Sequence, residues 1–459
     1  MEITGNKSIR EKHVAVFAFP FTSHPRLLLT LVHRLAAAAP TVVFSFFCSK
    51  KFNQLLFAEQ SCNNILPYDV SDGLPEDHTH ALSLEERVNM FLAVAEDELR
   101  RGVGVAETDI GLRINCLVTD AFFWFCGDTA KAMNIPWVAV FNGSPYALST
   151  HLYTDLIREK LTTPQLIGSA TLNDEITVDF VPGLKAVPIG DIPNGVVLGN
   201  LESPVATMLH KMGRALPTAT AVSVNSFEEL DADLTKSLSS KLNNFLNIGP
   251  FNLISKEKTS VKFDEYSCIS WLDNQKTRAV AYICFGTAFI LPPHEIVELA
   301  TALEETKTPF LWSINKDSYK HFPEGFLDRT SGNGTGKVVA WAPQDEVLNH
   351  VAIGVFVTQG GWNSVLEGVG AGVAMICRPN FADNLINSWM VARVWEIGVR
   401  IHGKFTKDAT RGALEQVLSQ RYEKIEALKD LAEKAVQPNG SSDKNFKALI
   451  EVITTGHLA

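Results

Sequence analysis

The chain has 459 residues, 46 % hydrophobic and 20 % charged, the proportions of a folded protein, and single cores stop growing beyond ~250–300 residues, so two or three domains are expected. General disorder is excluded. A formal charge of −10 and a pI of about 5.7 leave no summed positive field to hold a phosphate backbone, which excludes nucleic acid as a partner.

The opening MEITGNKSIREKH is polar and lacks the apolar segment of a secretory signal. No long apolar run follows, so no membrane insertion and a cytoplasmic location are expected. The cysteines (Cys48, Cys62, Cys116, Cys126, Cys268, Cys284 and Cys377) are scattered without a C-x-x-C pair and read as reduced core thiols. Asn6, Asn142, Asn333 and Asn439 match the N-x-S/T pattern, a match that arises by chance outside the secretory pathway.

In chain order, an apolar run at His13 to Phe19, an amphipathic stretch at Pro25 to Ala38 and a second apolar run at Thr41 to Phe47 predict a β-α-β crossover that opens a parallel sheet. Further strands are predicted at Cys116 to Thr119, Trp137 to Phe141 and Ala221 to Asn225, closing a first domain at residue 245. Gly249, Pro250 and a charge cluster mark residues 246–258 as a linker. A second series, residues 259–440, has strands predicted at Ala279 to Phe285, Phe310 to Ile314, Lys337 to Ala340, Gly354 to Thr358 and Val373 to Cys377. Residues 441–459 read as a last helix, capped by Ser441 and Ser442, whose apolar stripe of Phe446, Leu449, Ile450 and Val452 is expected to pack back on the first domain. The sum is an α/β protein of two Rossmann-like domains.

The first strand-helix turn reads FPFTSHPR, with no G-x-G-x-x-G, so dinucleotide binding there is disfavoured. His24, between Pro20 and Pro25, stands where open α/β sheets bind ligands and is suited to take a proton near neutrality, although it also fits a plain surface-turn histidine. Asp120 follows the apolar strand CLVT; it suits the carboxylate partner of an imidazole and equally a helix cap. In Trp341 to Asn384, a strand runs through GGWNS into a helix, whose free amides make an anion site fit for a pyrophosphate. Trp341 can stack on a base, and Gln344 and Glu367 can meet a ribose. The D-x-D at Asp231 and Asp233 reads as a helix start, and His33, His210, His294, His321 and His350 lack ligand spacing, so no metal is expected.

The segment from Trp341 to Asn384 resembles the signature box of plant family-one UDP-glycosyltransferases, and the blocks AFPFTSH, CLVTDAFFWF, LSTHLYTDLIREK, PVATMLHKMG and NIGPFNL resemble the flavonoid 3-O-glycosyltransferase group in particular. The resemblance spans essentially the whole chain. It implies a GT-B fold, two Rossmann-like domains facing across a cleft, in a monomer whose substrates are a UDP-sugar and a flavonoid aglycone. His24 would be the general base and Asp120 its partner. Trp341 would stack on uracil, Gln344 and Glu367 would hold ribose, and Gln359, Gly361, Asn363 and Ser364 would surround the phosphates, approached also by Ser23 and Thr287. Phe19, Phe21, Phe122, His151 and Phe381 fall on blocks that line the acceptor pocket.

Five positions bear on the expected donor. Gln359 replaces the usual histidine of the box, a neutral amide for a potential cation, at a cost of roughly 1 kcal/mol in leaving-group stabilisation. Asn384 stands where glucosyl-transferring relatives carry Gln and many galactosyl-transferring ones His, and Asn142 where a Thr commonly meets the sugar's 6-hydroxyl. Trp362 and Asp383 are those expected for a neutral hexose. The run RPNFADN is similar to that of flavonol 3-O-rhamnosyltransferases, so UDP-rhamnose is the expected donor and UDP-glucose or UDP-galactose the alternative. A flavonoid- or nucleotide-sugar-binding protein with weak catalysis, and an NAD-dependent oxidoreductase, are the competing classes.

Overall fold

Strand β1 (Lys12–Phe17) is buried from its second residue on, and β2 (Val42–Ser49, VVFSFFCS) is buried at every position. Such runs suit a parallel sheet covered on both faces rather than an alternating, half-wet one. The first sheet adds β3 (Ile65–Val70), β4 (Cys116–Asp120), β5 (Trp137–Phe141), β6 (Ala221–Val224) and β7 (Phe245–Asn247) in the order β3-β2-β1-β4-β5-β6-β7, with every pairing parallel. The chain therefore reverses its direction of travel across the sheet between β1 and β4, and the crevice beyond the carboxyl ends at such a reversal is where open α/β sheets take ligands.

The second sheet repeats the device. It comprises β8 (Val280–Cys284), β9 (Phe310–Ser313), β10 (Gly336–Val339), β11 (Ile353–Thr358), β12 (Met375–Cys377) and β13 (Gly398–Arg400), in the order β10-β9-β8-β11-β12-β13, again all parallel. Its reversal lies between β8 and β11. Ile283, Trp312, Val355, Ile296 and Leu414 meet in a core in which none is more than marginally exposed.

The computed structural model describes residues 10–58, 63–75, 82–161, 176–254, 264–286 and 289–456. Two units divide the chain: Met1–Ile189, Asn194–Ile248 and Pro438–Ala459 form one, and Gly190–Pro193 with Gly249–Gln437 the other. The detour of 190–193 into the second unit is secured by an ion pair of Asp191 with Arg400, both nearly buried. Strand β7 runs through residues read from sequence as the start of a linker, because Phe245 and Leu246 are buried beside β6.

Helix Ser441–Thr455 belongs to the first unit. Leu449 and Val452 are fully buried, Asn445 Nδ2 donates to the Asn247 carbonyl at 3.0 Å, and the Arg34 guanidinium lies 4.1 Å above the Phe446 ring centroid. Its N-cap is Gly440, with Ser441 and Ser442 already in the first turn, one residue away from the expected cap. Helices Pro145–Leu152 and Pro204–Ala215 cross closely because residue 213 is glycine: a Cβ there would come 2.1 Å from the His151 carbonyl oxygen. Of the thiols, Cys62 lies outside the described residues; Cys284 is half-buried and the other five are buried, with burial pushing Cys48 and Cys377 up to about 12.

Candidate active site

Three neighbouring strand ends of the first sheet build one cluster. β1 leads through Phe19, Pro20 and Phe21 to helix His24–Ala38, whose Pro25 fixes the first turn. Asp120 ends β4 and Asn142 directly follows β5. His24 Nδ1 lies 2.6 Å from Asp120 Oδ2, Asn142 Nδ2 donates to the same oxygen at 2.9 Å, and the Phe122 N–H donates to Oδ1 at 3.1 Å. A carboxylate only accepts, so Nδ1 carries the proton and Nε2 holds the lone pair. Asp120 is 1 % exposed, whereas the His24 side chain keeps 17 % of its surface.

Asp120 is not a helix cap: the helix after β4 starts at Cys126 with Phe125 at its cap. Nor is His24 a free turn histidine. Aromatic rings wall it in, with Phe122 at 4.9 Å and Phe19 at 5.3 Å between centroids, and Phe19 in edge contact with Phe21 at 5.0 Å. Phe19 and Phe21 are each 4 % exposed and Phe122 is half-buried. Phe91 and Phe123, not among the expected site residues, extend the ring cluster behind Phe19. His151 is buried in helix Pro145–Leu152 against Phe141; burial holds its imidazole down to about 4, so it stays neutral. Ser23 is exposed, at the cap position of the His24 helix.

In the second unit the corresponding reversal carries a strand-turn-helix. β11 ends at Thr358, and Gln359, Gly360 and Gly361 lead into helix Trp362–Ala371. Gly360 has φ of +80°, and a Cβ there would meet Ser388 Oγ at 2.3 Å, so the tight turn admits no side chain. The Gln359 amide nitrogen points at the backbone on both sides of the reversal: Cβ atoms built at Gly286, after β8, and at Gly361 would lie 3.0 and 3.1 Å from it. Asn363 and Ser364 stand in the first turn of that helix, half-buried. Thr287 lies outside the described residues.

Gln344 opens helix Gln344–Leu348 and bridges two partners: its Nε2 donates to Glu367 Oε2 at 2.5 Å and its Oε1 accepts from the Tyr282 hydroxyl at 3.0 Å. Burial pushes the Glu367 carboxyl up to about 8, with the Asp345 charge adding to the rise and the Gln344 bond opposing it. Trp341 follows β10 with 40 % of its surface exposed; Trp362 is 3 % exposed, its ring centroid 6.5 Å from that of Trp395. Beyond β12, Asp383 occupies the N-cap position of helix Asn384–Trp389 without a side-chain cap bond, and Phe381 is 39 % exposed. Asn384 is 5 % exposed, and its Nδ2 donates at 2.6 Å to Asn380 Oδ1, which also accepts from the Phe381 N–H. Arg378 anchors this loop: it grips fully buried Glu295 through Nε at 2.9 Å and Nη2 at 2.5 Å, while Glu295 Oε2 also accepts from the Phe405 N–H.

Asn142 stands beside the dyad of His24 and Asp120. Its amide is bonded to Asp120 and lies 3.2 Å from His24 Nδ1, so it belongs to the imidazole cluster. Asp231 caps helix Ala232–Lys241 by accepting from the Leu234 N–H at 3.0 Å, the helix start anticipated for that D-x-D.

A family model described as "UDP-glucoronosyl and UDP-glucosyl transferase" matches residues 103–438. An anthocyanidin 3-O-galactosyltransferase of Rhododendron delavayi is 50 % identical over 97 % of this chain and 98 % of its own. A flavonol 3-O-glucosyltransferase of Arabidopsis thaliana is 44 % identical, with 97 % of each chain covered. A crystal structure of a UDP-glucose:anthocyanidin 3-O-glucosyltransferase in complex with UDP superposes with a TM-score of 0.90 at 38 % identity, covering 97 % of this chain and 100 % of that one. The chain belongs to the UDP-glycosyltransferase family and has its GT-B fold of two Rossmann-like domains.

Proposed function

We propose that this protein transfers a hexose from UDP-galactose or UDP-glucose to the 3-hydroxyl of a flavonoid, with inversion at the anomeric carbon. The observation that carries the chemistry is the 2.6 Å bond between His24 Nδ1 and Asp120, which leaves Nε2 as a base in an aromatic-walled recess suited to a flat polyphenol. His24 Nε2 takes the acceptor's hydroxyl proton as the oxygen bonds to the anomeric carbon. The bond from that carbon to the phosphate oxygen breaks, and its electron pair leaves with UDP. Asp120 steadies the imidazolium that forms.

In this reading the second unit holds the nucleotide: the start of helix Trp362–Ala371 receives the pyrophosphate, Trp341 the uracil, and Glu367 with Gln344 the ribose. Galactose or glucose is favoured because the names of the relatives above carry those donors with flavonoid 3-hydroxyl acceptors. The expectation of UDP-rhamnose rested on Asn142, Asn384 and the run RPNFADN, and the named donors of these relatives favour the alternative. The test is a panel of UDP-galactose, UDP-glucose and UDP-rhamnose with a flavonol and an anthocyanidin, with products identified by mass and NMR. Expected is a β-linked 3-O-galactoside or 3-O-glucoside. Preferential consumption of UDP-rhamnose would reverse the donor assignment, and no product with any flavonoid would reject the acceptor.

A further inference from the structure

We propose that Asn142 is a positioning residue for the base, holding Asp120 and keeping His24 neutral, rather than a reader of the donor sugar. This rests on the reading of His24 as the base. Asp120 Oδ2 receives two donors, His24 Nδ1 at 2.6 Å and Asn142 Nδ2 at 2.9 Å, and the two nitrogens stand 3.2 Å apart. Because the oxygen is a carboxylate's, the amide must turn its NH2 towards it, which fixes the Asn142 orientation without ambiguity. With the Phe122 N–H on Oδ1, the carboxylate is held at both oxygens by groups that follow the ends of β1, β4 and β5, and Asn142 itself is 8 % exposed.

Two electrostatic consequences run in the same direction. The amide hydrogens place partial positive charge beside the imidazole, which disfavours adding a proton to Nε2. They also draw off part of the Oδ2 charge that would otherwise stabilise the imidazolium. Asp120 is the ionisable group bonded to His24; Phe19 and Phe122, the rings against it, are uncharged, and the cation reached through this ring cluster, Arg87, lies 5.8 Å from the Phe21 centroid. Asn142 therefore biases the dyad towards the state that can accept a proton.

The test uses Asn142→Asp, equal in size but with a repelling acceptor in place of the donor, and Asn142→Leu, which removes the donor without adding charge. Melting temperature and UDP affinity confirm that each is folded. The pH profile of kcat/KM is measured with the preferred UDP-sugar and a flavonol. Expected is an acid limb moved to higher pH, by about one unit in Asn142→Asp and less in Asn142→Leu. Plateau kcat should fall roughly tenfold, the worth of one hydrogen bond to a charged group, with KM for the UDP-sugar within about twofold of wild type. An unmoved acid limb together with a several-fold higher donor KM would overturn the proposal and return Asn142 to the sugar. If Asn142→Asp does not fold, the limb of Asn142→Leu decides alone. His24→Ala separates the two readings: near-wild-type turnover there defeats the base assignment itself, whereas lost turnover with unmoved limbs in the Asn142 variants defeats only this inference.

Discussion

The reversal points of the two sheets carry opposite kinds of site. In the first unit, side chains from the ends of β1, β4 and β5 bond to one another, so the chemistry rests on a few atoms. In the second, a turn of glycines opens a helix, and the side chains around it are tied in separate pairs, Gln344 with Glu367 and Asn384 with Asn380. A cluster of mutually bonded side chains has no reserve when one is removed, whereas a backbone cradle spreads its grip over many amides. The comparison predicts losses of turnover in the first unit and graded losses of nucleotide affinity in the second.

The sharpest break is His24→Ala. General-base assistance accounts for ~10²–10⁴ in rate, so turnover is expected to fall at least about a hundredfold, while calorimetric UDP affinity stays near wild type. Retained turnover would abolish the contrast between the sites. Next is Gly360→Ala: at φ of +80°, with Ser388 Oγ 2.3 Å from the added carbon, the cost is about 1–3 kcal/mol. A lower melting temperature and weaker UDP binding are expected, with little change in the acid limb of the rate profile.

Glu367→Gln separates burial from binding. The folded carboxyl keeps its proton up to about 8 while its ordinary value is 4.5, so the folded state binds more protons between these values and stability falls as pH rises through that window. Glutamine has no proton to lose. Without nucleotide, the variant should gain on wild type between pH 5 and pH 9, by about 1–2 kcal/mol once partial solvation is allowed for; equal melting curves at both ends would refute the buried-acid account. The smallest effect is Trp341→Ala, where loss of stacking at a 40 % exposed ring should weaken UDP about fivefold, the low end of ~1–3 kcal/mol for base stacking, with kcat unchanged.

What was legible in the sequence followed from the physics of each element. Strands such as Trp137–Phe141 are continuous apolar runs buried on both faces, and such runs stand out by composition alone. β3 did not: ILPYDV contains a proline and is buried only at its two end residues, as suits an edge strand. β13 has only three residues, too short to show periodicity. His24 and Asp120 could be singled out because each follows an apolar strand, but their bond depends on β1 and β4 being neighbours, a pairing across 96 positions of chain that local pattern does not encode. The same holds for the bond of Asn142 to Asp120, since nothing local reveals that β5 lies beside β4. Arg378 and Glu295 are likewise joined only by the fold.

Gln359 bears on how the reaction responds to acidity. Its amide points at Gly286 and Gly361, where the proposed phosphates would rest. An imidazole at that position would gain and lose charge within the neutral range, whereas a carboxamide keeps the same donors throughout it. In the proposed reading, position 359 therefore adds no change of charge beside the phosphates across the neutral range, and acidity would reach nucleotide binding through groups such as Glu367, whose carboxyl is pushed by burial up to about 8.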